Sequence, residues 1–109
     1  MRDSSERIRD ILDAIENIER YTSLGREAFD SDELIRVWVI HHLQIIGEAA
    51  ARVDDVVRQS MAHLPWRQMI AMRNLLVHAY FGIDDEEVWQ VATRHLPEIK
   101  KAFREFLDH

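Results

Sequence analysis

The chain has 109 residues, of which 47% are hydrophobic and 31% charged, with a formal net charge of −6 at pH 7. This composition excludes a disordered chain, and the length suits one domain, predicted over residues 1–109. Because the chain has no cysteine, disulfides and thiolate metal sites are excluded. No apolar stretch of about 18 residues could span a bilayer, and no signal-peptide pattern follows Met1, so we expect a cytoplasmic protein.

Two long helices are predicted in the first half of the chain. Residues 4–23 carry one apolar stripe with steps of three and four residues, and Leu24-Gly25 ends it. Residues 31–52 are apolar over much of the helix circumference. Because such a helix packs against more than one neighbour, we expect one neighbour to come from a second copy in a two-fold homodimer.

Shorter helices are predicted in the second half. One covers residues 54–61, and Pro65 opens another that runs from Trp66 to about Ala79, with Gly82 as its stop. A further helix begins after Asp84, and Pro97 either breaks it or begins a final segment. Asp-x-x-Glu patterns at residues 3–6, 30–33 and 84–87 indicate capped helix starts. The predicted class is all-α, an antiparallel bundle of four to five helices.

The segment from Arg73 to Tyr80 is the strongest candidate for a functional site. It places an arginine, a histidine and a tyrosine close together in the order R-x4-H-x-Y, through His78. Residues 56–83 contain three arginines and no acidic residue, although the chain as a whole is acidic. This local reversal of charge favours an anionic partner in a basic cleft, although the net charge argues against broad nucleic-acid binding.

The motif groups suit metal-free chemistry on a phosphodiester. A histidine can take the proton of a ribose 2′-hydroxyl and protonate the leaving 5′-oxygen, while an arginine stabilises the charge on the phosphate. On one straight helix, Arg73 and Tyr80 lie about 20° apart but His78 lies about 140° from Arg73. Three things could still bring Arg73 and His78 to one site: a flexible arginine stem, unwinding of the helix near Gly82, or a cleft shared by two protomers. The alternative is that these residues only flank a core stripe.

Three other groups of residues have simpler interpretations. His41 and His42, with Glu48 seven residues after His41, could suggest a metal, but the spacing is too long and a solvated or hydrogen-bonded pair is expected. The tryptophans could stack nucleic-acid bases, but core or interface anchoring is the better interpretation; they are Trp38, Trp66 and Trp89. The basic residues of the last helix could contact phosphates, but a solvated face is expected; they are Arg94, Lys100, Lys101 and Arg104.

Several segments together resemble the HepT-type toxins, a HEPN-domain family of the HEPN/MNT toxin–antitoxin pairs. The resemblance runs over nearly the whole chain and rests on Ile46-Gly47-Glu48-Ala49-Ala50, Leu64-Pro65-Trp66, Met72–Tyr80, Asp84…Val88-Trp89 and Leu96-Pro97. It implies an all-α homodimer that cleaves RNA without a metal or other cofactor at a dimer-interface cleft.

The resemblance also assigns roles to residues and names a partner. Arg73 and His78 would be catalytic, Asn74 would hold the geometry of the site, and Glu48 would be structural or line the cleft. The partner would be a minimal nucleotidyltransferase antitoxin that transfers AMP to Tyr80. A competing function remains open, a non-catalytic helical or nucleotide-binding module that accompanies a nucleotidyltransferase.

Overall fold

The computed structural model describes residues 3–74 and 85–108, and helices account for most of them. In chain order these are α1 (Ser4–Thr22), α2 (Arg26–Ser31), α3 (Glu33–Ala51), α4 (Asp55–Ser60), α5 (Trp66–Ala71), a 3₁₀ turn (Met72–Asn74), α6 (Asp85–Gln90), a π-helical turn (Val91–His95) and α7 (Leu96–Leu107). Neither described range contains a strand, so the predicted all-α class is confirmed. None of the helices described combines the length and apolar character needed to cross a membrane.

Helices α1 and α3 form an antiparallel pair at the centre of the fold. Near one end the Asp54 amide donates to Ser4 Oγ at 3.0 Å, and further along the Trp38 indole donates to the Asn17 carbonyl at 2.8 Å. The core beside them includes these side chains of α1, α3 and α7, each at most 1% exposed: Ile8, Ile11, Ile15, Ile18, Val39, Leu43, Ile46, Ala50, Leu96, Ile99 and Phe103. Each of these side chains larger than alanine contributes about 1.5–3 kcal/mol by leaving water.

The starts of the helices confirm one predicted cap and correct another. The Asp3 carboxylate accepts from the Glu6 amide at 2.9 Å, as predicted. The cap of α3 is Asp32, which accepts from the Leu34 amide at 2.9 Å, so the predicted 30–33 cap is wrong. The reason is that residue 30 belongs to α2, a six-residue helix too short to show a periodic pattern. Residue 84, the third predicted cap, lies outside the described residues.

The end of the chain shows how Pro97 is accommodated. The second predicted alternative is confirmed, because Pro97 lies in the first turn of α7, a final helical segment that follows α6 through the π-helical turn. A proline inside an α-helix removes one hydrogen bond and clashes with the carbonyl four residues earlier. The wider turn is the type of local insertion that relieves such a clash. Within it the Thr93 hydroxyl donates to the Trp89 carbonyl at 2.8 Å.

A group of charged side chains attaches the start of α6 to α2 and α3. Arg26 bonds Asp30 at 2.8 Å on its own helix and also bonds Glu86, while its guanidinium lies 5.8 Å from the centre of the Trp89 ring. Arg36 of α3 lies 3.7 Å from Asp85. These contacts fix the first described residues after the 75–84 gap to the body of the fold.

This attachment gives a pH-dependent prediction. The hydrogen bond from Arg26, followed by one from Gln90, lowers the pKa of Glu86. Because the folded pKa is lowered, the stabilisation is present at neutral pH and is lost as pH falls through that folded pKa. Glu86→Gln should therefore cause a small drop in melting temperature at pH 7 and low salt. It should cause none in acid, where Glu86 of the wild-type protein is protonated and as uncharged as the glutamine. The effect is small because the partners are half exposed and screened.

Glu105→Gln, at an exposed position of α7, is the matched control for removing one negative charge. Equal losses in the two variants at pH 7, or a loss for Glu86→Gln that persists in acid, would contradict the pairing.

Candidate active site

A cleft of about 860 Å³ runs along the outer side of the α1–α3 pair. It is lined by residues that recur every three or four positions on both helices, together with one residue of the 3₁₀ turn: Arg7, Asp10, Asp13, Ala14, Asn17, His41, His42, Gln44, Ile45, Glu48, Ala49, Arg52 and Arg73. Because residues three and four apart share a helix face, two polar stripes border one groove. The same sequence periodicity that buries the isoleucines of α1 therefore directs the polar side chains of that helix toward the cleft.

Arg73 reaches this cleft from the 3₁₀ turn that follows α5. Its side chain is exposed, and no ion pair or hydrogen bond involves it among residues 3–74 and 85–108. A guanidinium keeps its charge at any physiological pH and presents several donors in one plane. Within the described part of the chain, its charge is therefore available to a bound anion.

The other predicted site residues are only partly described. Asn74 is exposed beside Arg73 but does not line the cleft. His78 and Tyr80 lie outside the described residues, so their predicted places next to Arg73 stay predictions. The predicted α-helix from Trp66 to Ala79 needs a correction, because the α-helix ends at Ala71 and residues 72–74 form a 3₁₀ turn. A 3₁₀ turn has about 3.0 residues per turn instead of 3.6, which changes the direction of Arg73.

The charge of the cleft comes from different residues than the sequence suggested. Arg7 of α1 and Arg52 of α3 line it with Arg73, whereas Arg58, which belongs to the basic segment, does not. Arg58 donates to the carbonyls of Ala50 and Ala51 at 3.2 and 2.9 Å and so caps the C-terminal end of α3. Arginines far apart in sequence thus meet in the cleft, and one near the motif serves the fold.

Acidic side chains also line the cleft. Asp10 and Asp13 come from α1, and Glu48 lies 3.7 Å from Arg52 on α3 with both side chains more than half exposed. The prediction that Glu48 is structural or lines the cleft agrees with this position. Carboxylates beside arginines limit how many phosphates the cleft can bind at once.

Of the two adjacent histidines of α3, one is buried in the fold and the other is exposed. His42 is buried, and its Nδ1 lies 2.8 Å from the Trp38 carbonyl oxygen. The centre of its ring lies 4.3 Å from the centre of the Trp38 ring. His41 is exposed and lies edge-on to His42. The predicted hydrogen-bonded pair is confirmed for His42. In the part of the chain that the structure describes, no three histidine, aspartate or glutamate side chains are grouped to hold a metal ion.

The tryptophans and the basic residues of α7 have structural contacts. Trp66 and Trp89 pack on the hydrophobic core, and the Trp66 indole donates to the Met61 carbonyl at 3.0 Å.

Two basic side chains of α7 form ion pairs with α1. Lys100 lies 2.6 Å from Glu19, and Arg104 lies 3.3 Å from Glu16. These two ion pairs connect α7 to α1.

Comparison with known proteins identifies the family. Residues 11–106 match the family described as "Ribonuclease HepT-like". A "Probable ribonuclease HepT" from Thermococcus cleftensis is 36% identical over 103 residues, which is 94% of each chain. A "Putative RNase" from Methanocaldococcus jannaschii is 34% identical over 107 residues, covering 97% of this chain and 88% of the relative. No solved structure gives a significant match. The chain belongs to the HepT-like family of ribonucleases.

Proposed function

We propose that this protein is the ribonuclease toxin of a toxin–antitoxin pair and cuts RNA without a metal ion in a cleft shared by two copies. The observation that carries the proposal is the position of Arg73, exposed at the cleft beside Arg7 and Arg52. An exposed guanidinium in a groove is a suitable binding group for a phosphodiester. The family match supports RNA as the substrate.

The proposed reaction is an internal transfer followed by release. His78 removes the proton from a ribose 2′-hydroxyl, and the 2′-oxygen attacks the adjacent phosphorus. The bond from phosphorus to the 5′-oxygen breaks, and this oxygen takes a proton from an imidazolium. Arg73 stabilises the additional negative charge on the phosphate oxygens, and Asn74 holds the geometry of the turn. The products carry a 2′,3′-cyclic phosphate and a 5′-hydroxyl end.

A second function is favoured by the acidic side chains of the cleft. Asp10, Asp13 and Glu48 would repel the backbone of a long RNA. They would be less unfavourable for a helical module that binds a nucleotidyltransferase, or one nucleotide, without cutting anything.

Expression of the chain alone separates the two functions. A ribonuclease toxin should stop growth and cause RNA decay within the same interval, and His78→Ala expressed at the same level should do neither. Normal growth and intact RNA with the wild-type chain, at an expression level confirmed by immunoblot, would favour the non-catalytic module.

The dimer is expected to form through the outer face of α3. Leu34 is 78% exposed and Val37 is 54% exposed in the single chain, one helical turn apart near the start of this helix. Large apolar side chains grouped on one face favour burial against a copy. Light scattering should give a dimer at micromolar concentration, and Leu34→Glu combined with Val37→Glu should give a monomer.

Val56 offers a matched control, because it is 79% exposed on α4. Val56→Glu should leave the dimer intact. A monomeric wild-type protein would contradict the shared cleft, and a dimer that survives the double substitution would contradict this interface.

We further propose that a nucleotidyltransferase partner controls the enzyme by transferring AMP to Tyr80. The transfer joins the phenol oxygen, which loses its proton, to the α-phosphorus of ATP and releases pyrophosphate. The added phosphodiester carries one negative charge, which suits the exposed Arg73 of the same protomer or its partner.

A further inference from the structure

Gly47 lies in the interior of α3, where a glycine has no local reason to be. A glycine inside a helix is less favourable than an alanine, because its backbone loses more conformational freedom. Among the described residues the only positive φ belongs to Gly25, so Gly47 is not required by an unusual backbone conformation. Gly47 is buried, as are Leu43 and Ala50, which lie four residues before and three residues after it on the same side of the helix. The requirement for glycine must come from a neighbour.

The neighbour is the backbone of Arg73. A Cβ atom added at Gly47 would lie 2.3 Å from the Arg73 amide nitrogen and 3.0 Å from both its Cα and its Cβ. Carbon and nitrogen atoms that are not bonded cannot approach to 2.3 Å. Because the contact is with backbone, rotation of a side chain cannot relieve it, and any other residue at position 47 must move the 3₁₀ turn away from α3.

The turn is attached on its other side as well. Met72, immediately before Arg73, is buried in the core, whereas Arg73 and Asn74 are exposed. The turn therefore has one side chain anchored in the core and its backbone pressed on α3. Glu48, the residue after Gly47, lines the same cleft as the Arg73 side chain.

We infer that Gly47 is a positioning residue for Arg73: it lets the 3₁₀ turn lie directly on α3 and so fixes where the guanidinium enters the cleft. The contact itself is independent of any activity. Its consequence for RNA cleavage rests on the proposed function, because a displacement of about 1 Å in a catalytic group can cost on the order of 100-fold in rate.

The first experiment measures the contact without a substitution. In isotope-labelled wild-type protein, a nuclear Overhauser effect should connect a Gly47 Hα proton with the Arg73 amide proton. Its absence in a folded protein with both resonances assigned would overturn the inference. In Gly47→Ala the amide resonances of residues 72–74 should shift more than those of α7. Ala51→Ser, which adds one atom at a half-buried position of the same helix, should leave them in place.

The second experiment measures the consequence. Gly47→Ala should cut RNA at least about tenfold more slowly than wild type and Ala51→Ser, with the helical circular dichroism retained. In a double-mutant cycle with Arg73→Lys, the Gly47→Ala loss should shrink, because both changes disturb the same group. Full additivity would indicate a general structural defect instead and overturn the positioning role.

The two proposals fail in different ways. If the wild-type protein cuts no RNA, the proposed function fails while the nuclear Overhauser effect still decides the contact. If the wild-type protein cuts RNA and Gly47→Ala cuts it equally well, the positioning role is wrong and the proposed function stands. If Gly47→Ala does not fold, the wild-type measurement alone decides the contact.

Discussion

His78→Ala is expected to reduce RNA cleavage by about 10²–10⁴-fold, the usual contribution of general acid–base catalysis. Arg73→Ala should produce a loss of about 10²–10³-fold, since it removes a donor that stabilises developing charge. The fold should survive the arginine substitution, because the Arg73 side chain is exposed and makes no hydrogen bond or ion pair within residues 3–74 and 85–108. Initial rates on a labelled RNA, with circular dichroism for the fold, measure both effects.

Arg67 provides the control for removing one positive charge from the same basic segment. It is exposed on α5, six residues before Arg73, and does not line the cleft. Arg67→Ala should retain most of the cleavage activity. An effect under tenfold for His78→Ala, or equal losses for Arg67→Ala and Arg73→Ala, would rule out the assigned roles.

Tyr80→Phe is expected to remove control by the antitoxin while leaving toxicity nearly unchanged. The phenol is not needed for cutting, so cells that express this variant alone should stop growing as with wild type. Co-expression of the nucleotidyltransferase should rescue cells that carry the wild-type chain but not those that carry the variant. The reason is that phenylalanine has no oxygen to which AMP could be joined. The measurement is growth with and without the partner.

Tyr21→Phe is the matched control for the loss of a phenol. Tyr21 lies at the end of α1, where its ring packs edge-on to Trp38 with the centres 5.5 Å apart. This variant should be rescued like wild type, and mass spectrometry should find AMP only on the peptide with Tyr80. Equal rescue of Tyr80→Phe without any adduct would mean that the partner neutralises the toxin by forming a complex.

The apolar periodicity of α1 was enough to predict its buried face, because isoleucines at three- and four-residue steps lie on one side of the helix. The same pattern could not predict α2. Its six residues bury only Phe29, and a single buried side chain has no period. The π-helical turn before Pro97 could not be predicted from the sequence either, because it depends on how the helix relieves the proline clash within the packed bundle.

The candidate site was predicted in part. The motif named Arg73 as a cationic group, and the structure places it at a cleft. Arg7 and Arg52 were missed, because their meeting requires the antiparallel arrangement of α1 and α3. Gly47 also carries a signal of its own, since a glycine within a helical pattern often has a packing reason. Only the three-dimensional structure shows that the neighbour of Gly47 is the backbone of Arg73.

The chemical nature of the cut ends tests the central claim most directly. Purified wild-type protein should cleave RNA in excess EDTA, and the products should carry 2′,3′-cyclic phosphate or 3′-phosphate ends with 5′-hydroxyls. His78→Ala from the same purification should give no such products above background. Products with 3′-hydroxyl ends, or loss of all cleavage in the chelator with recovery on adding a divalent metal ion, would contradict a metal-independent reaction through the 2′-hydroxyl.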